Sequence, residues 1–254
     1  MSSRIAVIEK AFLVLEVMSD LGRTASLKEI SEASGLPKAT LFRILQTLAH
    51  IGYVDQDQAR SRYALTMRLF HLGRDDSFQE AKDIALPIME GLHARFNETV
   101  NLGILQGTHV VYAHCIETNQ SLRWQVRPGA RDPFHTTALG RAIVAFLPEK
   151  RRNQLLDRLQ FDPRTPFAPT TRAQVEAILE ATRRNALAHD NQENDVGVVC
   201  YAIPLLEDEV PIASLSVSVP KSRLTAELDS QIVAALHAVH GDRQAAAAEG
   251  RKAS

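Results

Sequence analysis

Several features that mark common protein classes are scarce in this 254-residue chain. It holds two cysteines, Cys115 and Cys200, and both lie in apolar, strand-like runs. This scarcity excludes a disulfide scaffold and favours a reducing compartment. No apolar run approaches the roughly 18 residues that a membrane-spanning helix needs, and the N-terminus lacks the basic and then apolar pattern of a signal peptide. We therefore expect a cytoplasmic protein.

Sequence motifs of enzymes and metal sites are also missing. The chain has no GxGxxG, GxxxxGK[ST], GxSxG or HExxH segment, and its histidines are not spaced like metal ligands. We therefore predict no metal, no cofactor and no catalysis. One enzyme alternative stays open, in which Cys200 and His135 form a thiol nucleophile centre with the first domain as an accessory. Cys200 lies in an apolar run, however, where a thiol is normally a packing residue.

The composition is that of a globular protein with two domains. Hydrophobic residues make up 45% of the chain and charged residues 23%, and the length exceeds that of one average domain. Residues 1–75 hold ten Lys and Arg and eight Asp and Glu, whereas the whole chain has a net charge of −1. The slightly basic first part permits a nucleic-acid partner without requiring one.

The first 65 residues have the pattern of a winged helix-turn-helix. Apolar periodicity predicts helices at about 5–19, 27–34 and 37–50, the first with a stripe of Ile8, Phe12, Leu15 and either Val14 or Met18. Ser26 and Glu29 form a capping-box pattern before the second helix. Gly35 supplies the left-handed residue that ends it. Two β-prone runs around a polar turn follow and predict the wing, which completes the fold.

The third predicted helix has an apolar side, at positions 41, 44, 45 and 48, and a polar side. Arginine can read guanine, glutamine can read adenine, and lysine, threonine and free backbone N–H groups hold phosphates. Periodicity alone leaves two interpretations open, a DNA-reading surface or a solvated helix face. The polar side and its flanks carry Lys38, Thr40, Phe42, Arg43, Gln46 and His50.

Residues 66–98 predict a helical connector, and residues 99–243 a second domain. Pro87 interrupts the connector, which is therefore either two helices or one kinked helix. Runs at 100–105 and 110–116 predict a β-hairpin, and 125–135 a loop. Helices are expected at 136–147, 171–185 and 223–239, strands at 198–203 and 213–219, a polar loop at 189–195, and a flexible tail at 244–254.

The two predicted strands differ in pattern. The run VVCYAI is apolar throughout, which is typical of a strand covered on both faces. The run ASLSVSV alternates and places Ser214, Ser216 and Ser218 on one side of the strand. This serine row either meets solvent or, if it is covered, needs hydrogen-bond partners that a small polar ligand could supply.

Several stretches resemble the IclR family of bacterial transcriptional regulators. "LKEISEASGLPKATLFRILQTLAHIGYV" is similar to the family's helix-turn-helix. "RPGARDPFHTTALGRAIVAFLP", "HDNQENDVGVVCYAIPLL" and "PIASLSVSVPKSRL" resemble its effector-binding domain. The combination with the His135-x-x-Ala138-x-Gly140 segment makes the resemblance specific, and it covers about residues 5–236.

The resemblance implies a two-domain fold. A mainly α winged helix-turn-helix would precede an α+β, GAF-like domain, in which helices flank an antiparallel sheet. Its effector pocket would be lined by Ala138, Leu139, Asp190, Cys200, Ser216 and Ser218. Two departures stand out, because Leu139 replaces a residue that is often small, and the turn at 206–212 lacks a glycine.

For the first domain, the resemblance places the third helix in the DNA major groove. The predicted DNA-binding residues are Ser26, Pro37, Lys38, Ala39, Thr40, Phe42, Arg43, Gln46, Arg60 and Arg62. The implied partners are double-stranded operator DNA, a small organic or aromatic acid, and further copies of the chain in a dimer or dimer of dimers. We therefore predict a regulator, and specifically a repressor of a catabolic operon. A constitutive DNA-binding protein whose second domain only oligomerises stays open as an alternative.

Overall fold

The computed structural model of the protein describes residues 5–22, 24–57, 61–72 and 76–253. The chain divides into two compact units, Met1–Asp75 and Asp76–Ser254. The boundary falls inside the segment predicted as the connector.

The first unit is a winged helix-turn-helix, as predicted. A three-stranded antiparallel sheet of order β1-β3-β2 closes the domain beside its helices. The elements are α1 Ala6–Leu21, β1 Ala25–Ser26, α2 Leu27–Ser34, α3 Lys38–His50, β2 Val54–Asp57, β3 Arg62–Leu65 and α4 Met67–Leu72.

Local sequence signals place the turn between α2 and α3. Ser26 Oγ accepts the Glu29 backbone N–H at 3.3 Å, and the Ser26 N–H donates to Glu29 Oε2 at 2.7 Å, so the predicted capping box is present. Gly35 ends α2 with a left-handed φ of 68°, a conformation that costs glycine little.

The apolar stripe predicted for α1 is divided between two faces. Val14 and Met18 are buried in the core with Ile30 and Leu41. Ile8 and Phe12, in contrast, are 50% and 61% exposed. The helix is apolar on more than one side, so periodicity alone did not identify the side that faces the core.

The second unit is an α+β domain around a six-stranded antiparallel sheet of order β6-β5-β4-β9-β8-β7. This confirms the predicted fold class. The elements are α5 Asp76–Phe96, β4 Thr99–Gln106, β5 His109–Ile116, β6 Arg131–Pro133, α6 Ala138–Phe146, α7 Glu149–Leu156, α8 Arg172–Asn185, β7 Ala188–Asn191, β8 Val198–Glu207, β9 Val210–Pro220 and α9 Ala226–Ala253.

Helices cover both faces of this sheet. On one face, α5 and α9 bury Met89 and Leu236 against strand residues such as Leu215 and Val217. On the other face lies α6, with α8 packed against α6. The serine row of β9 points to the α6 side and is 0–2% exposed, so the interpretation of a solvated serine face is wrong.

The turn between β8 and β9 fixes the register of the serine row without a glycine. Asp208 and Glu209 take positive φ values of 46° and 65° there, as in the tight turns that join antiparallel strands. Ser218 consequently pairs with Cys200 on β8, and Ser216 with Asn101 on β4.

Four elements of the second unit differ from the sequence prediction. The loops predicted at 125–135 and 189–195 contain the short edge strands β6 and β7, where pairing with one neighbour compensates for weak apolar patterning. α7 was not predicted. α5 continues through Pro87, so of the two alternatives predicted there, the one with two helices that break at this proline is wrong. The terminal helix continues to Ala253 beyond the predicted end at 239, through an alanine-rich run of high helix propensity.

Candidate functional site

The exposed side of α3 carries the side chains predicted to meet DNA. Leu41, Ile44, Leu45 and Leu48 are buried, which turns the opposite side outward. Lys38 and Arg43 make no ion pair with any residue that the structure describes, so both charges are available to a partner. The outward positions are Lys38, Ala39, Phe42, Arg43 and Gln46, with Thr40 half-buried.

The first turn of α3 offers backbone donors as well. Pro37 precedes the helix and provides no side-chain cap. The N–H groups of Lys38, Ala39 and Thr40 have no acceptor within the helix, because the first turn lacks preceding carbonyls. A helix start of this kind binds phosphate oxygens through these donors and the helix dipole.

Two of the predicted DNA-binding residues, Gln46 on α3 and Arg62 on β3, are engaged within the domain. Gln46 Nε2 donates to Gln56 Oε1 at 3.2 Å, which links α3 to β2. Arg62 donates to Thr24 O at 2.7 Å and pairs with Glu29 at 3.2 Å. Through these contacts, Arg62 connects β3 to the start of α2.

Two further predicted residues need separate mention. The Ser26 hydroxyl is occupied by its capping role on α2. Arg60 lies outside the described residues.

In the second unit, a cavity brings all six predicted effector residues together between the α6 start and the sheet. They surround about 10 Å³ that the centre of a water-sized molecule can occupy, roughly what one water needs. A larger effector therefore requires the lining residues to move apart. The lining consists of Tyr112, Trp124, Thr137, Ala138, Leu139, Asp190, Asn194, Asp195, Val198, Cys200, Ser216 and Ser218.

Hydrogen-bond donors lie at one end of this cavity. Thr137 Oγ1 caps α6 by accepting the Gly140 N–H at 3.2 Å. The N–H groups of Ala138 and Leu139 precede that bond and have no acceptor within the helix. Oxygen anions are stabilised at such a site.

An acidic group lies among the lining residues. Asp190 Oδ1 accepts the backbone N–H of Glu193 at 2.7 Å and that of Asn194 at 3.4 Å. Burial raises the pKa of Asp190 to about 7, although the nearby Arg141 acts in the opposite direction. Asp190 therefore changes protonation state near neutral pH.

Arg141 is a buried cation that sequence reasoning missed. It is 1% exposed, and it donates to His135 O at 2.9 Å and to His189 O at 2.7 Å. Its guanidinium also pairs with Glu193. Arg141 thus ties the α6 segment to the Asp190 loop, but a position on an apolar helix gave no sequence signal for it.

Two glycines create the space that α6 requires. A Cβ on Gly140 would lie 2.6 Å from Phe134 O, and a Cβ on Gly103 would lie 2.7 Å from Val110 Cγ2 and 3.1 Å from Leu139 Cδ1. Gly103 therefore makes room for the large Leu139 side chain. The glycine of the His135-x-x-Ala138-x-Gly140 segment allows the helix to approach its preceding turn.

A polar network closes the cavity wall. Trp124 Nε1 donates to Asp195 Oδ2 at 3.1 Å, and Tyr112 OH donates to Asp132 Oδ2 at 3.0 Å. Arg164 pairs with Asp132 and lies 3.9 Å from Asp195. These residues come from separate loops and strands, so no short motif could have identified them.

The comparisons with known proteins cover both units. Residues 7–58 match the IclR helix-turn-helix domain, and residues 77–242 match the C-terminal domain of the bacterial transcriptional regulator IclR. The chain belongs to the IclR family. Its two domains are therefore the DNA-binding and ligand-binding domains of an IclR-type transcriptional regulator.

Individual relatives agree with this assignment. The regulator XynR of Escherichia coli is 36% identical over 226 residues, covering 85% of this chain and 87% of XynR. The transcriptional repressor IclR of E. coli is 26% identical over 230 residues, covering 88% of this chain and 83% of that protein.

Solved structures show the same fold. The crystal structure of Thermotoga maritima IclR superposes with a TM-score of 0.72 at 26% identity, covering 92% of this chain and 95% of that one. An IclR homologue from Microbacterium hydrocarbonoxydans in complex with 4-hydroxybenzoate has a TM-score of 0.71 at 20% identity, covering 94% and 99%.

Membership of the IclR family decides against the enzyme alternative. Relatives of this chain are named transcriptional regulators, and the chain is not an enzyme. The geometry fits this outcome, because Cys200 Sγ contacts Ser218 Oγ at 3.2 Å, whereas the His135 ring packs edge-on against Phe134 and Phe161. Burial raises the pKa of the Cys200 thiol, so the thiol keeps its proton.

The part of this IclR-family chain that the structure describes holds no group of three metal-ligating side chains. Its helices, over the same residues, include none that is both long and apolar enough to cross a bilayer.

Proposed function

We propose that this regulator represses a catabolic operon and that a small organic acid, bound in the cavity of the second domain, modulates its affinity for DNA. The observation that carries the proposal is the cavity that is lined both by the first turn of α6, with its free N–H groups, and by Ser216 and Ser218 of the covered serine row. An anionic, oxygen-rich molecule matches both sets of groups.

Two relatives support the finer parts of this proposal. The Microbacterium homologue was crystallised with 4-hydroxybenzoate, which is an organic acid. The E. coli relative is named a repressor. The effector site is proposed to consist of Ala138, Leu139, Asp190, Cys200, Ser216 and Ser218.

On the DNA side, we propose that α3 enters the major groove. Arg43 reads a base, and Phe42 and Gln46 face the groove. The start of the helix holds phosphates through Lys38, Ala39 and Thr40. Arg62 is left out of this set because Thr24 and Glu29 occupy its guanidinium. Pro37 contributes by leaving the first-turn N–H groups uncapped.

Coupling between the domains follows from a population shift. The effector stabilises one arrangement of the effector domains, and the connector at residues 66–98 then resets the spacing of two recognition helices in a homodimer. A ligand changes DNA affinity only as far as it binds the two arrangements differently, typically by about 1–3 kcal/mol. Ile5, which precedes α1, and Ile8 and Phe12 on α1 are each at least half exposed and support self-association.

The testing experiment measures binding to DNA fragments next to the protein's own gene, across a salt series. Arg43→Ala should weaken specific binding by about 1–3 kcal/mol, since a base contact is lost. The matched control is Arg151→Ala, which removes an exposed arginine from α7 in the other unit. Equal binding by wild type and Arg43→Ala would refute the proposal that Arg43 reads a base.

The effector part needs a second arm with the same fragment. Small organic acids added to the wild type should shift the midpoint of DNA binding. If no acid changes either DNA affinity or the melting temperature, the constitutive alternative, in which the second domain only oligomerises, becomes the better description.

A further inference from the structure

Asn101 lies beside the proposed effector residues but has no assigned role. It is on β4, is 0% exposed, and pairs in register with Ser216 of β9. Its Nδ2 lies 3.4 Å from Ser216 Oγ and 3.1 Å from Ser218 Oγ. Its Oδ1 is buried without a hydrogen-bond partner among the described residues.

The orientation of this amide follows from counting hydrogen-bonding groups. The two Nδ2 protons of Asn101 meet two serine oxygens, so both protons are satisfied and one carbonyl oxygen is left over. The flipped amide would leave two buried N–H protons without acceptors. A buried carbonyl lacking a partner is the less costly of the two defects.

Because the amide donates to both serines, the serine protons must point elsewhere. Ser218 Oγ also lies 3.2 Å from Cys200 Sγ, and either atom can be the donor of that contact. If the thiol donates, the amide and the thiol together occupy the lone pairs of Ser218, and its own O–H remains a donor. The O–H of Ser216 remains a donor in both cases, and both serines line the cavity.

We infer that Asn101 is a positioning residue that makes Ser216 and Ser218 hydrogen-bond donors, so that the effector presents keto or carboxylate oxygens to them. This inference rests on the proposed function, in which the cavity holds an effector. It also restricts which molecules can be effectors, because one that offers only hydrogen-bond donors to these serines would leave the serine protons unpaired.

The test uses Asn101→Asp in the full-length protein, with two probes measured by calorimetry. Aspartate has nearly the same shape but accepts the serine protons. Pyruvate offers keto and carboxylate oxygens, and its neutral amide, pyruvamide, keeps the acceptors without the charge. The control is Ser214→Ala, since Ser214 lies on the same side of β9 outside the cavity lining.

We expect Asn101→Asp to bind pyruvate at least about 10-fold more weakly, the value of roughly one charge-assisted hydrogen bond, and the neutral pyruvamide about 5-fold more weakly, the value of an ordinary hydrogen bond. Ser214→Ala should bind both within about 2-fold of wild type. Unchanged binding of pyruvamide by Asn101→Asp would overturn the inference, because a loss confined to pyruvate reflects charge repulsion alone.

A second experiment, which needs no ligand, determines the orientation of the Asn101 amide by neutron diffraction from the deuterated wild type. Deuterium on the amide atom that faces Ser216 and Ser218 supports the inference, and an amide oxygen facing them overturns it. If neither probe binds the wild type while the amide has the expected orientation, the organic-acid effector of the proposed function fails and the role of Asn101 in directing the serines stands.

Discussion

Replacing Gly140 with alanine should strongly destabilise the second domain. The new Cβ would lie 2.6 Å from Phe134 O and 2.7 Å from Phe134 Cβ, well inside ordinary van der Waals contact. Two of the three obstructing atoms, Cα and O of Phe134, belong to the backbone, which cannot rotate away as a flexible side chain can. The helix or the preceding turn must therefore move.

The magnitude follows from two opposing effects. Overpacking costs about 1–3 kcal/mol and occasionally more, and displacement of Phe134 also disturbs the turn that leads to the Thr137 cap. Alanine recovers about 1 kcal/mol of helix propensity relative to glycine. The close contacts favour the upper part of the overpacking range, so we expect a net loss of about 1–2 kcal/mol, equivalent to a melting temperature lower by roughly 2–8 °C for a domain of this size.

Gly91→Ala in α5 provides the matched control. A Cβ at Gly91 meets nothing within 4 Å, so the same substitution should raise stability by about 0.5–1 kcal/mol. Both glycines lie in the second unit. The chain's single tryptophan, Trp124, also lies there, so its fluorescence during urea unfolding reports on the relevant domain.

The paired design gives a clear refutation. If Gly140→Ala were as stable as the wild type, or if both variants shifted the urea midpoint in the same direction, the close approach of α6 to Phe134 would not limit residue 140.

Three further predictions concern charge and assembly. The pKa of Asp190 in the folded state is about 7, so the folded state binds this proton more tightly than the unfolded state does. The free energy of unfolding should therefore fall by up to about 4 kcal/mol as the pH rises from about 4 to 7. Asp190→Asn should abolish that part of the pH dependence of the urea midpoint, and an unchanged dependence would contradict the prediction. Arg223 contacts the buried Glu98 at 2.5 and 2.6 Å, so Arg223→Met should cost about 3 kcal/mol in the same assay by leaving a buried charge unpaired. Arg172→Met, at an exposed pair, should shift the urea midpoint much less, and equal shifts would contradict the prediction. Ile8→Glu should convert the proposed dimer to a monomer in sedimentation experiments. If the variant sediments like the wild type, α1 does not form the interface.

Local patterns determined much of the first domain and the order of elements in the second. The capping box at Ser26 and the left-handed Gly35 depend on neighbours within a few residues, so the sequence alone predicts them. The alternation of Ser216 and Ser218 with valines likewise identified the two faces of β9. These features require no knowledge of which strands pair.

Tertiary structure decided which side of each element is covered and which distant groups meet. The serine row is buried because α6 lies over it, and Asp190 takes part in the cavity because the edge strand β7 pairs with β8. Asn101 lies more than 100 residues from its serines. Contacts of this kind depend on strand order and loop closure, which a single sequence does not encode in any local pattern.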